Sequence, residues 1–250
     1  MANQVDPRLA TSRSIGGVDA GFDEGLRSYM LSIYNYMASG VLLTGVIALM
    51  VSSNPALLAT FFAQNPETGR VSATVLGWIA ILSPLAIILV MNFGINKLSE
   101  NQLKACFWGF AGMMGVSMST IFLQYTGGSI AQTFFITAAG YGALSLYGYS
   151  TKRDLSAFGK FLIMGLIGIL LAMLANFFFQ SGALQLGINI MGTLVFAGLT
   201  AYDTQRLKNM YFELAGSSFI GKAAIMGALT MYLNFINLFQ FLLAFMGQRR

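Results

Sequence analysis

The residues best placed to do chemistry in this 250-residue chain are one acid and a row of amides. Asp203 lies in Leu199-Thr-Ala-Tyr-Asp-Thr-Gln-Arg206, at the end of a long apolar run and just ahead of a basic loop. Further on, Asn234, Asn237 and Gln240 recur every three residues, with Thr230 four before Asn234, so one helix would carry them on a single slanted stripe. A carboxylate among apolar neighbours is costly, and a proton or a cation relieves that cost, so Asp203 reads as a proton- or cation-responsive group. The bland alternative is a local ion pair with Arg206 or Lys208 on adjacent turns. The amide stripe offers either hydrogen bonds between helices or the lining of a solvated cavity.

Much other chemistry is ruled out by composition. The chain has no histidine and one cysteine, Cys106. The usual zinc, haem and iron–sulfur sites are therefore missing, as are an internal disulfide and any catalysis with imidazole as base. Gly221-Lys222 is followed by alanine, so no phosphate-cradling loop is present. With no nucleophile and base in view, no enzyme and no resident cofactor are expected. Calcium prefers six to eight oxygen ligands, and one aspartate with amides makes Asp203 at best a weak metal site. The net charge of +5 is scattered in twos and threes beside apolar runs, which argues against nucleic-acid binding.

The elements that must position these residues follow from the solvent. Hydrophobic residues make up 56% of the chain and charged ones 9%, against roughly 25% charged in an ordinary soluble domain. The apolar residues come in seven blocks, each long enough to cross a hydrocarbon core about 30 Å thick: Ser28–Val51, Ala73–Ile95, Ala105–Tyr125, Ser129–Ser150, Lys160–Phe179, Leu186–Gln205 and Ala223–Phe245. None contains the alternating segments of a membrane barrel. An all-α bundle of seven transmembrane helices over residues 28–250 is expected, after a polar, mobile cytoplasmic tail of residues 1–27 that lacks a signal peptide's apolar core. Its partner is the lipid bilayer.

Intrahelical glycines such as Gly112, Gly115, Gly140, Gly142, Gly165 and Gly168 read as packing surfaces. Pro84 should bend the second helix. Eleven of the fourteen Lys and Arg fall on one side of the expected bundle, the exceptions being Arg70, Arg249 and Arg250, so the N-terminus is expected in the cytoplasm and the C-terminus outside. A re-entrant last helix is the alternative. In this arrangement Asp203 sits about 26 Å along the sixth helix, near the cytoplasmic boundary and the negative end of the helix dipole.

Three segments carry a resemblance. Thr200-Ala-Tyr-Asp-Thr-Gln-Arg-Leu-Lys208, Ala228-Leu-Thr-Met-Tyr-Leu-Asn-Phe-Ile-Asn-Leu-Phe239 and Thr151-Lys-Arg-Asp-Leu-Ser156 look like signatures of the Bax inhibitor-1 family, also called the transmembrane Bax inhibitor motif family, and the likeness extends from about Tyr29 to the C-terminus. The resemblance implies seven helices, one central and six around it, and a pH-sensitive calcium leak linked to stress responses. It also implies, for some bacterial members, a role in membrane-protein quality control through a membrane-bound protease. The polar tail and compact length resemble a bacterial member of the cytoplasmic membrane. The alternative function is then a non-conducting modulator of such a protease or stress-response complex, with residues 1–25 as its contact. The family's sensor is a pair of aspartates on the last two helices; Asp203 matches the first, and Asn234 stands where the second is expected. Asn234 bonds but cannot titrate, so a direct Asp203–Asn234 contact is what a surviving site requires. Gly94 and Ser83 align where some members carry a base and an acid, and Lys97 is the candidate substitute for that base.

Overall fold

The structure is a computed structural model that describes the backbone of residues 7–64 and 71–250 and the side chains of residues 24–63 and 72–250. In chain order it contains α1 (Pro7–Ser53), α2 (Pro55–Phe61), a hairpin of β1 (Phe62–Gln64) and β2 (Val71–Ala73), α3 (Val75–Gly94), α4 (Glu100–Met118), α5 (Ile121–Gln124), α6 (Gly127–Ser150), α7 (Ser156–Phe179), α8 (Gly182–Leu214) and α9 (Ile220–Met246). Helix α1 starts at Pro7 rather than near Ser28, since no proline interrupts residues 8–53. The expected tail thus joins the first span as one helix. Residues 1–6, Arg70 and the side chains of residues 7–23, where the tail contact was expected, lie outside the described residues.

Among the described residues six helices are long and apolar enough to cross a bilayer: Glu24–Ser53, Val75–Gly94, Glu100–Gln124, Ser156–Phe179, Gly182–Leu214 and Ile220–Met246. The chain is an all-α membrane protein. Helix α6 has 24 residues, about 36 Å at 1.5 Å each, but it is the more polar one and does not join that set. Outward-facing Phe93, Phe135, Phe177 and Leu194 meet hydrocarbon instead of water.

Helix α9 is the core. It packs against α8, α1, α6 and α4, while α3 packs chiefly on α4 and α7 on α8. Half of its apolar window is buried, against 11% for α7. The arrangement differs from one helix ringed by six: four helices surround α9 and two are carried outside them. Close approach is made at particular glycines. A Cβ on Gly115 would sit 2.8 Å from the carbonyl oxygen of Thr44, and one on Gly148 would strike the backbone of Ala201. Gly140, Gly142 and Gly168 face open space instead, so the packing role falls on fewer glycines than their number suggests.

Three local departures have physical causes. The third apolar block breaks after Met118, where the Ser119 and Thr120 hydroxyls donate to the carbonyls of Val116 at 2.7 Å and Ser117 at 3.3 Å. The described part of the first loop, residues 54–64 and 71–73, is structured, because Asn54 accepts from the amides of Ala56 and Leu57 and caps α2 while β1 pairs antiparallel with β2. At Pro84 the carbonyl of Ala80 loses its helical donor, and Ser117 of α4 donates to it at 2.9 Å together with Ser83 at 3.1 Å.

The two ends of the bundle are tied differently. At the basic end, Lys222 Nζ donates to Ile95 O at 3.0 Å and Lys208 Nζ to Tyr149 O at 2.8 Å. Gln205 clamps the α6–α7 loop there, donating to Arg153 O and accepting from Leu155 N, both at 2.8 Å. In the same loop Asp154 accepts from the Ser156 amide at 2.9 Å, and the hydrogen bonds from Ser156 hold its carboxyl below the usual carboxylate value. At the far end Thr126 N donates to Gln248 O, Gln248 N to Ser129 Oγ and Arg250 N to Gln124 O, at 3.1, 2.9 and 3.0 Å. Helix α9 runs unbroken between these ends over 27 residues, with no re-entrant turn.

Candidate functional site: an acid and an amide between α8 and α9

Helix α8 does not stop at Gln205. Leu207, Met210, Tyr211 and Leu214 follow at helical spacing and pack inward, so the helix runs on until Gly216 takes a positive φ of 81°. Asp203 therefore lies eleven residues before the helix end, and the expected conflict with the helix dipole does not arise, because that effect is confined to the last turn. Thr200 and Thr204 flank it, fully buried, with hydroxyls donating to the carbonyls of Phe196 and Thr200 at 2.8 Å each.

Asp203 and Asn234 are each 5% exposed, and they meet. The Asn234 amide nitrogen donates to Asp203 Oδ2 at 2.8 Å, joining α8 to α9. The other carboxylate oxygen lies 3.4 Å from Arg206 Nη1, a long ion pair whose guanidinium side chain is 46% exposed. Arg206 in turn borders a polar cleft of about 210 Å³ with Ser156, Gln205, Asn209 and Glu213. The carboxylate thus has an amide on its buried side and a cation leading outward. Its negative charge is bonded but not cancelled in place, which is the condition for sensitivity to a proton or an ion.

The other expected site residues are elsewhere. Asn237 donates to Leu233 O at 2.8 Å and Thr230 to Met226 O at 3.1 Å, both within α9, so half of the stripe bonds its own helix. Gln240 lines a separate cleft of about 370 Å³ near Ser117, Thr120 and Gln124 at the far end. Lys97 is exposed in the turn after α3, and among the described residues the ion pair of Asp203 is with Arg206, not Lys97. No group of three or more His, Cys, Asp or Glu able to hold a metal occurs among the described residues.

The structure adds a polar wall beside Asp203. Tyr34 of α1 bonds Ser145 of α6, and Ser145 Oγ lies 3.0 Å from Thr204 Oγ1 on α8. One turn along, Tyr141 donates to Met231 O at 3.0 Å, reaching α9. The signal is present in the sequence: Thr133, Thr137, Tyr141 and Ser145 recur every four residues and are all buried. Tyr29 packs against Tyr211 with tilted rings 5.5 Å apart and its buried hydroxyl unpartnered. A lock on the opposite side of α9 joins Tyr232 Oη to Thr44 Oγ1 at 2.6 Å, and Thr44 donates to Ala111 O at 2.8 Å.

Residues 26–250 match the family described as inhibitor of apoptosis-promoting Bax1. An uncharacterized protein of Caulobacter vibrioides is 43% identical over 250 residues, 99% of either chain. An uncharacterized protein of Rickettsia prowazekii is 46% identical over 230 residues, 92% of this chain and 93% of its own. The inner membrane protein YbhL of Escherichia coli is 45% identical over 228 residues, 90% of this chain and 94% of its own.

Proposed function

The chain belongs to the Bax inhibitor family, and from that membership we propose that it is a pH-sensitive cation leak of a bacterial inner membrane, with Asp203 as the responsive group and Asn234 as its neutral partner. The observation that carries this reading is the 2.8 Å bond between them, which ties the core helix to α8 through a single charge. When Asp203 is ionised, it holds the Asn234 amide on one side and attracts Arg206 on the other. When a proton or a passing cation neutralises it, Arg206 loses its counter-charge and the contact between α8 and α9 weakens. Calcium is in this view a transported or weakly held ion, since one carboxylate with amides is a poor resident site. No catalytic step is assigned.

In the same proposal α6 is a seventh crossing, supported by the ties of its two ends to opposite ends of the bundle, at Ser129 with Gln248 and at Tyr149 with Lys208. The basic end faces the cytoplasm and the C-terminus lies outside, following the positive charges at Lys97, Lys152, Arg153, Lys208 and Lys222. A second reading, a non-conducting modulator of a membrane protease, is favoured by one feature: both oxygens of Asp203 already have partners in the closed bundle.

Purified protein in dye-loaded liposomes separates the two readings. The leak reading expects Ca²⁺ entry that varies with pH and falls in Asp203→Ala. Flux equal to that of empty liposomes at every pH rejects it and leaves the modulator.

A further inference from the structure

Helices α1 and α6 both pack on α9, yet they diverge from one another and leave a cleft of about 830 Å³ between them. Its floor is Phe235 of α9, and its walls are mainly apolar, with Met37, Val41 and Leu42 on α1 and Phe134, Ala138 and Gly142 on α6. A second cavity of about 260 Å³ shares Val41, Phe134 and Phe235 with it, so the furrow continues toward the far end. Leu31, Leu42 and Leu146 stand exposed along the opening, which therefore faces hydrocarbon.

The polar groups of the cleft are not scattered. Arg27, Tyr34, Ser145 and Tyr149 gather toward the basic end. Lys208 adds positive charge at that end, with its ammonium on Tyr149 O and 5.0 Å from the Tyr149 ring centre. Arg27 is exposed and forms no ion pair among the described residues; Glu24, the described acid one turn away on α1, does not bridge to it. Asp203 is engaged with Asn234 and Arg206. From Arg27 to Leu42 the α1 wall runs about 23 Å, longer than the ~15 Å hydrocarbon depth of one leaflet.

We propose that this cleft seats an acyl chain of an anionic phospholipid from the leaflet on the basic side, with the headgroup phosphate at Arg27. A greasy slot open to hydrocarbon accepts the chain, and cations at one end alone select the headgroup's charge and set which way the lipid points. A zwitterionic lipid fills the slot equally well but gains less from Arg27 and Lys208. The site is independent of whether the bundle conducts ions.

The test uses the purified full-length protein in detergent, given equal amounts of phosphatidylglycerol and phosphatidylcholine with identical chains, the retained lipid being read by native mass spectrometry. Retention should favour phosphatidylglycerol by about fivefold or more, the effect of one to two cations near the phosphate. Arg27→Gln, at an exposed position, should cut that preference by about fivefold without removing bound lipid. Gly142→Phe fills the slot from a position with open space around its Cβ and should lose both lipids, whereas Gly140→Phe, equally uncrowded but outside the slot, should retain them. Equal retention of the two lipids by the unaltered protein overturns the proposal, as does an unchanged preference in Arg27→Gln. A detergent-stable dimer that Gly142→Phe dissociates also overturns it and assigns the cleft to a second copy. Should Gly142→Phe fail to fold, Arg27→Gln decides alone.

Discussion

Replacing Asn234 with alanine leaves the Asp203 carboxylate buried with only a long ion pair to a half-exposed arginine. The expected loss is about 1–3 kcal/mol, visible as a lower melting temperature in detergent. Asn234→Asp puts two carboxyls at a contact now 2.8 Å long, where both cannot ionise cheaply. Its melting temperature should fall further below that of the unaltered protein as pH rises, and its leak should shift in pH response; coincident profiles would mean that position 234 does not bear on the charge. The Thr44–Tyr232 lock supplies an asymmetric pair of variants. Tyr232→Phe leaves Thr44 its bond to Ala111 O and should cost about 0.5–1.5 kcal/mol, whereas Thr44→Val strands the fully buried Tyr232 hydroxyl and should cost about 1–3 kcal/mol. Equal losses in thermal unfolding would contradict this account. Asp203 and Asn234 are legible in the sequence because amides and acids stand out inside apolar blocks. The four-residue spacing that ends at Ser145 is visible too, but its contacts with Tyr34 and Thr204 are not, because hydroxyls in such helices so often bond their own backbone, as Thr230 does here.

Elements carry their own consequences. The Ala80 carbonyl freed by Pro84 takes one donor from another helix, Ser117, and one from its own, Ser83, so replacing both by alanine leaves it unbonded, and loss of the Ser117 bond should loosen α3 from α4 by about 0.6–2 kcal/mol. Hydrogen exchange of the amides around Pro84 reads this directly. Gln205 does the same for the α6–α7 loop, and Gln205→Ala should make Lys152 and Arg153 cut several-fold faster by trypsin in detergent, since two backbone anchors go together. Asp154 gives that loop a pH dependence. Its carboxyl is depressed by Ser156, so its contribution is complete above the ordinary carboxylate range and is lost as pH falls through the depressed value; the protection of the Ser156 amide, relative to its intrinsic exchange rate at each pH, should fall only on acidification. Helix positions were readable from apolar length, but the run-on of α8 past Gln205 was not, because its second half is amphipathic and is stabilised by Leu207 and Tyr211 against the bundle rather than by lipid. The hairpin in the first loop was hidden for a similar reason, its strands being three residues each.

For the whole molecule the orientation is the accessible question. In a Cys106→Ser background, Arg250→Cys should react with a membrane-impermeant maleimide on intact spheroplasts, and Lys152→Cys only after permeabilisation. The reverse pattern would invert the proposed sidedness while leaving the fold as described. The order of the long helices was readable from apolar length; the placement of α9 at their centre was not, because α9 is no more apolar than α4 or α8 by mean hydropathy and its burial emerges only from how four neighbours close on it. That placement also orders events in time. Among the described helices α9 comes last in chain order, so α1, α4, α6 and α8 are synthesised before the helix on which they pack, and Asp203 before its amide partner. A chain terminated by a stop codon before Ile220 lacks the helix on which these four pack and should be cleared by cellular proteases faster than the unaltered chain in a pulse-chase measurement.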